Sequence, residues 1–171
     1  QLDFDFNNPH HLGEDGFKAV VGNPRKFSDL TLLANLDNLR SLDLTDTHVA
    51  NLAPLAKLAR LQALDLTDTK IRGLRPLARL IELNSLLLSG TKITGLGALS
   101  HLINLQLIDL ANTKITNIWP LLELLNLKKL ILRDTLVQDL SPLFLHERLR
   151  ELDVSDAPVT RRNCETLKRF L

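Results

Sequence analysis

Apolar residues recur along the chain with a period of 22 residues. The pattern begins at Phe17, restarts at Leu39 and then at every twenty-second residue to Leu149, with no insertion or deletion. Within each unit the apolar positions are 1, 4, 6, 11, 14, 17 and 20; in the unit 61–82 they hold Leu61, Leu64, Leu66, Ile71, Leu74, Leu77 and Leu80. No unit can cover its own apolar side chains, so neighbouring units must stack to form one continuous core.

The spacing changes within each unit and predicts its local structure. Positions 4 and 6 alternate with polar residues as in a β-strand, whereas positions 11, 14, 17 and 20 recur every third residue, as in a 3₁₀-helical return. Threonine fills position 9 in five units, where a ladder of hydroxyls is expected to satisfy backbone groups of the turn. Proline fills position 16 in four units, where its fixed φ suits the start of a short helix. The sequence therefore predicts a curved α/β solenoid with seven strands in one parallel sheet.

The unit LxxLxLxxTxIxxLxPLxxLxx resembles the 22-residue leucine-rich repeat of bacterial proteins, of the internalin-like type, with threonine at position 9 instead of asparagine. The resemblance covers Phe17 to about Thr160. It implies a leucine-rich-repeat solenoid with the parallel sheet on its concave face and short 3₁₀ or extended return segments on its convex face. It also implies a protein-binding scaffold, usually part of a larger receptor, adhesin, effector or signalling protein, and indicates no particular ligand.

One domain is expected over residues 1–171, with a cap at each end. Residues 1–16 are expected to form an edge strand, 17–38 a degenerate capping repeat, 39–148 five regular repeats, and 149–171 the last strand and a capping helix. The edge strand is predicted from Leu2, Phe4 and Phe6, which alternate with Asp3 and Asp5.

The capping helix and the repeat before it carry two further predictions. Thr160 is a candidate N-cap for a helix that places Cys164, Leu167, Phe170 and Leu171 on one side. In the sixth unit His146 stands at position 20, where leucine is expected. We expect the adjacent Leu145 to fill this core position through a local shift of the chain.

Composition narrows the possible functions. Of the 171 residues 43 are leucine, and the net charge is only +1, so we expect neither nucleic-acid binding nor another general affinity for polyanions. No apolar run reaches the roughly 18 residues of a membrane span, and we expect no membrane insertion.

The single cysteine forms no disulfide within the chain. Since the sequence begins with Gln1 and has no methionine, we expect a processed or excised piece of a longer protein. The missing disulfide and missing N-glycosylation sequon favour a cytoplasmic bacterial setting, or an effector secreted into a host cytosol.

Motifs for catalysis, cofactors or metals are missing from the sequence. The segment Gly95-Leu96-Gly97 lacks the third glycine of a dinucleotide fingerprint and follows the turn of a repeat, so we interpret it as turn chemistry. We therefore expect no cofactor, no metal site and no enzymatic activity. Nothing in the sequence indicates an oligomeric state.

The predicted concave face begins with an acidic half. Asp43 and Asp65 occupy position 5 of successive strands, with Asp46 and Asp68 at position 8. Like charges across a sheet repel, so this half is either an acidic docking patch or a solvated surface. Partial relief along the rim is expected from His48, Lys70, Lys92 and Lys114.

The second half of the concave face is apolar. Leu87, Leu107 and Ile131 occupy strand positions that point away from the leucine core, and Ala111 is expected to join them. Asp109, Arg133 and Lys129 border this group. An exposed apolar patch of this kind is typical of an interface, although the residues are also consistent with chance on a leucine-rich chain.

The lateral side offers one further candidate contact, Trp119, the only tryptophan, which either anchors a partner or packs on Pro120. The leading hypothesis is a non-enzymatic module that binds another protein on its concave face. The alternative is a sensor or regulatory segment of a larger bacterial signalling or effector protein, packed against a catalytic domain outside this chain.

Overall fold

The computed structural model describes residues 17–20 and 27–167, which form a solenoid of stacked repeats. Within these residues seven parallel strands lie in sequential order in one sheet. They are β1 (Phe17–Val20), β2 (Leu39–Asp43), β3 (Ala63–Asp65), β4 (Ser85–Leu87), β5 (Leu107–Asp109), β6 (Lys129–Ile131) and β7 (Glu151–Asp153). The predicted α/β solenoid with a parallel sheet is therefore confirmed.

Strand pairing follows the sequence repeat from β2 onwards. Asp43 lies opposite Asp65, and the same offset of 22 residues holds between each later pair of strands. Between β1 and β2 the register shifts after Phe17, so that Val20 lies opposite Asp43. The strict repeat predicted Val21 at this point; that prediction is wrong by one residue, and Val21 itself lies outside the described residues.

The chain returns along the convex side through short 3₁₀ helices. In the described residues these are Thr31–Leu33, Ala53–Lys57, Arg75–Leu77, Gly97–Leu99, Trp119–Leu121 and Ser141–Leu143. The position-16 proline is the second residue in four of them, as its fixed φ predicts. An Asn or Asp at position 13 often closes the preceding turn: Oδ1 of Asn51 accepts a hydrogen bond from the backbone N–H of Ala53 at 2.9 Å.

The turn after each strand uses a left-handed residue at position 8. This column consists of Asp46, Asp68, Gly90, Asn112, Asp134 and Asp156, with φ between +54° and +68°. Glycine, asparagine and aspartate are the residues that tolerate this conformation best. The buried threonine that follows donates a hydrogen bond from Oγ1 to the carbonyl of position 6, as Thr91 does to Leu88 at 2.7 Å. The threonines therefore satisfy backbone groups of their own turns, not those of a neighbouring repeat.

The core is built from the framework leucines, isoleucines and valines; besides the buried threonines of the turns, it contains one polar residue among those described, His146. His146 is completely buried, whereas Leu145 is 67% exposed, so the predicted shift of Leu145 into the core is wrong. The imidazole is accommodated because its Nε2 lies 3.1 Å from the carbonyl oxygen of Leu121 in the preceding repeat. The backbone N–H of His146 still donates to the carbonyl of Leu143, as leucine does in the other repeats, and the chain keeps its register.

A short helix, α1 (Arg161–Leu167), follows the last strand. The Thr160 Oγ1 accepts a hydrogen bond from the backbone N–H of Asn163 at 3.3 Å, which is the geometry of an N-cap. The Asn163 side chain donates to the carbonyl of Gln138 and ties the helix to the preceding repeat. The predicted apolar side of this helix and the predicted N-terminal edge strand involve Cys164, Leu167, Phe170, Leu171, Leu2, Phe4 and Phe6, whose side chains lie outside the described residues.

Candidate protein-binding surface

The parallel register brings the position-5 residues of successive strands into one row on the concave face. Asp43 of β2 lies opposite Asp65 of β3, and Leu87 of β4 lies between Asp65 and Asp109 of β5. Ile131 of β6 follows, between Asp109 and Asp153 of β7. All these side chains are half-buried, while the residues between the concave positions point into the core. The structure therefore brings the acidic and apolar candidates together on one continuous surface.

The aspartates of this row close the turn that follows their own strand. Oδ1 of Asp43 accepts a hydrogen bond from the backbone N–H of Thr45 at 3.0 Å, and Oδ1 of Asp65 accepts one from Thr67 at 2.9 Å. Asp109 and Asp153 make the same bond to Ala111 and Ser155. This side-chain to backbone bond is an Asx-turn. Each of these carboxylates is thus part of the framework, with its second oxygen directed to other partners or to solvent.

Leu87 and Ile131 interrupt this structural rule. They occupy the positions at which β2, β3, β5 and β7 place the turn-closing aspartate. A leucine or isoleucine side chain cannot accept a hydrogen bond from the backbone N–H of Ser89 or Arg133. Both repeats thus carry an apolar side chain on the concave surface at the expense of a local bond of the turn.

Leu107 extends the apolar group at position 3 of β5, two residues before Asp109. Its direct neighbours in the sheet are Ser85 and Lys129. Because residues two apart on a strand point to the same face, Leu107 and Asp109 share the concave side with Leu87 and Ile131. Ala111, which the sequence placed in this patch, is only 1% exposed. We define the concave apolar cluster as Leu87, Leu107 and Ile131, around the carboxylate of Asp109.

Charges at the C-terminal end of the sheet are paired. Lys129 forms an ion pair with Glu151 at 2.6 Å. The hydroxyl and backbone N–H of Ser155 hold the pKa of Asp153 below its ordinary value, and nearby Arg133 and Lys129 contribute in the same direction. The net negative charge of the face therefore lies towards β2, β3 and β5.

Asp46 and Asp68, which the sequence analysis assigned to the acidic half, set the backbone conformation of their turns. Both are exposed, and their φ angles of +54° and +56° place them at the left-handed position of the turn. The sequence contained a signal for this role, because the position-8 column is limited to aspartate, asparagine and glycine from Asp46 to Asp156.

Trp119 lies on the lateral side and is 53% exposed. Its backbone N–H donates to Oδ1 of Asn117 at 2.8 Å. The hydroxyl and N–H of Ser141 are the main reason that the pKa of Asp139 lies below its ordinary value, and the Trp119 side chain adds a further hydrogen bond to that carboxylate. The indole thus lies near the Asp139 carboxylate of the next repeat while half of the residue's surface faces solvent.

A second apolar column, which was not predicted from the sequence, lies outside the concave face. Ile81, Ile103 and Leu125 are 57%, 53% and 47% exposed, and each occupies position 21 of its repeat. The Asn104 and Asn126 amides donate to the carbonyls of Ile81 and Ile103, so this edge is linked from repeat to repeat. Three successive branched apolar residues at one repeat position were the signal for this column.

The described part of the chain gives little support for a metal site, a membrane span or a dinucleotide-binding loop. In residues 17–20 and 27–167 no group of three or more His, Cys, Asp or Glu side chains is placed to hold a metal ion. Those residues also contain no helix of the length and apolarity that a bilayer requires. The Gly95-Leu96-Gly97 segment leads directly into the 3₁₀ helix Gly97–Leu99, in agreement with a turn.

Comparison with known proteins identifies the fold. Internalin C2 from Listeria monocytogenes superposes with a TM-score of 0.76 at 34% identity, over 79% of this chain and 60% of that one. The chain is a leucine-rich-repeat solenoid, similar to that of the internalins. A leucine-rich-repeat protein of Leptospira interrogans gives a TM-score of 0.72 at 21% identity, over 81% of this chain and 43% of that protein. The Listeria internalin InlF gives 0.68 at 23% identity, over 88% and 51%.

The last two likenesses concern the fold alone, because their identities are low. This solenoid spans 60% or less of the length of each of these solved structures. Neither the family models nor the curated proteins that were compared with the sequence gave a match.

Proposed function

We propose that the chain is a non-enzymatic module that binds another protein on its concave sheet. The observation that carries this proposal is the replacement of the turn-closing aspartate by Leu87 in β4 and Ile131 in β6. Each replacement forgoes a hydrogen bond and leaves an apolar side chain half-exposed. Positions that break a local structural rule with no gain inside the chain are typical of functional surfaces.

The surroundings of the concave apolar cluster indicate the chemistry of the partner. Leu87 and Ile131 flank Asp109, whose Oδ1 is already bonded to Ala111. A lysine or arginine of the partner can pair with Oδ2 while its aliphatic stem lies on the neighbouring leucine and isoleucine. Since the concave columns carry no aromatic side chain, a large anchor residue has to come from the partner. A segment that combines basic and large apolar residues fits this surface best.

The acidic half of the concave face also complements the charge of a basic partner. Asp43 and Asp65 are neighbours in the sheet and lie on the side of Leu87 away from β7. Their charges attract a basic partner over longer distances and favour rapid association. We therefore assign the acidic half to steering and the apolar half to the stability of the complex.

A second candidate function is a regulatory segment that packs against a neighbouring domain of the same polypeptide. The exposed column of Ile81, Ile103 and Leu125 favours it, because these three side chains lie outside the concave face. Apolar residues aligned on three successive repeats suit a rigid contact with another domain.

Selection from a displayed peptide library tests the concave proposal. The chain serves as the target, and selected peptides are then measured against two triple variants. The first changes Leu87, Leu107 and Ile131 to serine, whereas the control changes Ile81, Ile103 and Leu125 to serine. Both remove three large apolar side chains, but from different faces.

We expect selected peptides to be rich in basic and large apolar residues and to lose about tenfold or more in affinity for the concave variant. Affinity for the control variant should be unchanged. Circular dichroism and denaturant midpoints establish that both variants are folded. Peptides that bind the concave variant and the parent equally, or that lose affinity only for the control, contradict the proposal.

A further inference from the structure

Five cationic side chains lie on the lateral side of three successive repeats, where the chain leaves the strands and enters the 3₁₀ helices. They are Lys70, Arg72, Arg75, Lys92 and Lys114, and all are exposed. We call them the basic lateral face. The corresponding segments 70–75, 92–97 and 114–119 contain no aspartate or glutamate. This excess of positive charge is local, because the whole chain has a net charge of only +1.

Backbone bonds between adjacent repeats hold Lys70 and Lys92 close together. The N–H of Lys70 donates to the carbonyl of Val49 at 2.9 Å, and that of Lys92 donates to Ile71 at 3.1 Å. Such bonds between adjacent repeats set a spacing of about 4.8 Å, as between strands of a sheet. Like charges at this spacing repel, and the ion pairs between described residues, Lys129 with Glu151 and Arg161 with Glu165, do not involve them. Asp68, two residues before Lys70, offsets part of this charge, and an anionic partner would offset the rest.

Glycines leave the surface between the cations without side chains. At position 13, Asn51, Asn117 and Asp139 close the turn before the next 3₁₀ helix, but Gly73 and Gly95 replace them within the basic lateral face. Neither glycine has a positive φ, and a Cβ atom built on either would meet nothing within 4 Å. The same is true of Gly97. The fold does not require glycine here, whereas close approach of another backbone would.

Trp119 borders this surface. It begins the 3₁₀ helix Trp119–Leu121, which lies next to the helix Gly97–Leu99 of the preceding repeat, so Trp119 and Gly97 occupy the same position of adjacent repeats. About half of its surface is exposed. Exposed tryptophan beside a charged surface is typical of binding hot spots.

We propose that the basic lateral face, together with Gly95, Gly97 and Trp119, binds an extended acidic segment of a protein partner. Carboxylates of the segment pair with the lysines and arginines, its backbone crosses the glycines, and one apolar side chain lies on the indole. Single-stranded nucleic acid is a poorer fit, because such binding sites stack successive bases on several aromatic residues, and this surface has one. The site is separate from the concave face.

A labelled peptide of glutamate and glycine with one central phenylalanine tests the proposal in two ways. Fluorescence anisotropy of the label measures affinity, and the emission of Trp119 reports directly on the surface because the chain has no other tryptophan. We expect saturable binding that shifts the Trp119 emission and weakens as salt is added. Absence of saturable binding at low salt overturns the proposal.

Charge-reversal variants locate the site. Lys70→Glu, Lys92→Glu and Lys114→Glu in one chain should weaken binding by about tenfold or more. The matched control, Lys57→Glu, Arg79→Glu and Lys128→Glu, changes the net charge by the same amount at exposed positions outside the basic lateral face. Equal weakening by both variants overturns the proposal, because binding would then follow net charge alone.

Two further arms separate this proposal from its alternatives. The serine variant at Leu87, Leu107 and Ile131 should bind the acidic peptide as the parent does, so failure of the concave proposal leaves this result unaffected. A labelled oligothymidylate of similar length should bind more weakly than the peptide. Tighter binding of the oligonucleotide, with loss in the lysine variant, overturns the assignment to an acidic polypeptide.

Discussion

The Asp109 carboxylate closes the turn after β5 by accepting a hydrogen bond from the backbone N–H of Ala111 at 2.8 Å. The same bond recurs after β2, β3 and β7. The concave aspartates therefore act on the fold as well as on the charge of the surface. Asparagine separates the two roles, since it keeps the acceptor oxygen and loses the charge.

Leu87→Asn is expected to restore the missing turn bond in β4. Its amide oxygen would stand where Asp65 and Asp109 place Oδ1, within reach of the Ser89 N–H. Compared with Leu87→Ala, the asparagine variant should gain about 0.5–1.5 kcal/mol in the free energy of unfolding. Urea unfolding at equal m-values measures the difference. The same pair of substitutions at Ser85, two residues earlier, provides the control; a gain there as large as at Leu87 would contradict the turn as its source.

Replacing both Asp43 and Asp65 by asparagine is expected to slow association with a basic partner while the fold keeps its stability. The turn bonds survive in these variants, so the unfolding midpoint should stay within about 0.5 kcal/mol of the parent. Rapid-mixing kinetics with a peptide selected on the concave face should show an association rate several-fold lower at low salt, converging with the parent as salt is added. The corresponding alanine variants should also lose about 1 kcal/mol per site. Identical association rates would contradict steering by the acidic half.

The framework was predictable because buried positions allow few solutions. Leucine at fixed positions must point into the core, and this requirement set the strands, the 3₁₀ returns and the direction of Leu87 and Ile131. The role of the aspartates was not accessible in the same way. A carboxylate on a strand suits solvent, a partner or a turn N–H equally, and only the backbone geometry places the N–H of Thr45 within reach of Asp43.

The surfaces outside the sheet were harder to predict for a related reason. Ile81 and Ile103 lie between two framework positions, and the apolar pattern alone does not determine whether position 21 faces the core or solvent. The register shift between β1 and β2 was missed because Phe17 preserves the repeat in sequence while the backbone departs from it. Each of these features depends on the conformation of a turn, and the 22-residue repeat of leucines does not determine that conformation.

Glycine substitutions should have opposite effects at two neighbouring turns. Gly97→Ala is expected to stabilise the fold by about 0.4–1 kcal/mol, because the site has room for a Cβ atom and a negative φ. Gly90→Ala should destabilise it by more, since Gly90 has a φ of +68° and the new Cβ would collide with Oδ1 of Asp68. Thermal or urea unfolding of the two variants tests the pair. Equal effects would contradict the assignment of Gly97 as a residue that the fold does not require.

His146→Leu is expected to stabilise the chain and to remove part of the dependence of its stability on pH. No group of the described residues pairs with the buried Nδ1 of His146, and an unpaired buried polar atom costs about 1 kcal/mol or more. The carbonyl of Leu121 keeps a partner without the imidazole, because it also accepts the backbone N–H of Leu124. Leucine at this position restores the framework of the other repeats.

The sign of the pH effect follows from burial. Burial lowers the pKa of His146 in the folded chain from its ordinary value of 6.5, so the unfolded chain takes up the proton first. The contribution of neutral His146 to the free energy of unfolding is thus fully present above pH 6.5 and is lost as the pH falls through the lower pKa of the folded state. Urea midpoints measured across this range should fall less steeply in His146→Leu than in the parent. His146→Gln, which cannot titrate but keeps a polar group in the core, should flatten the profile without the gain in stability; a parent-like slope in both variants would show that His146 does not carry the pH dependence.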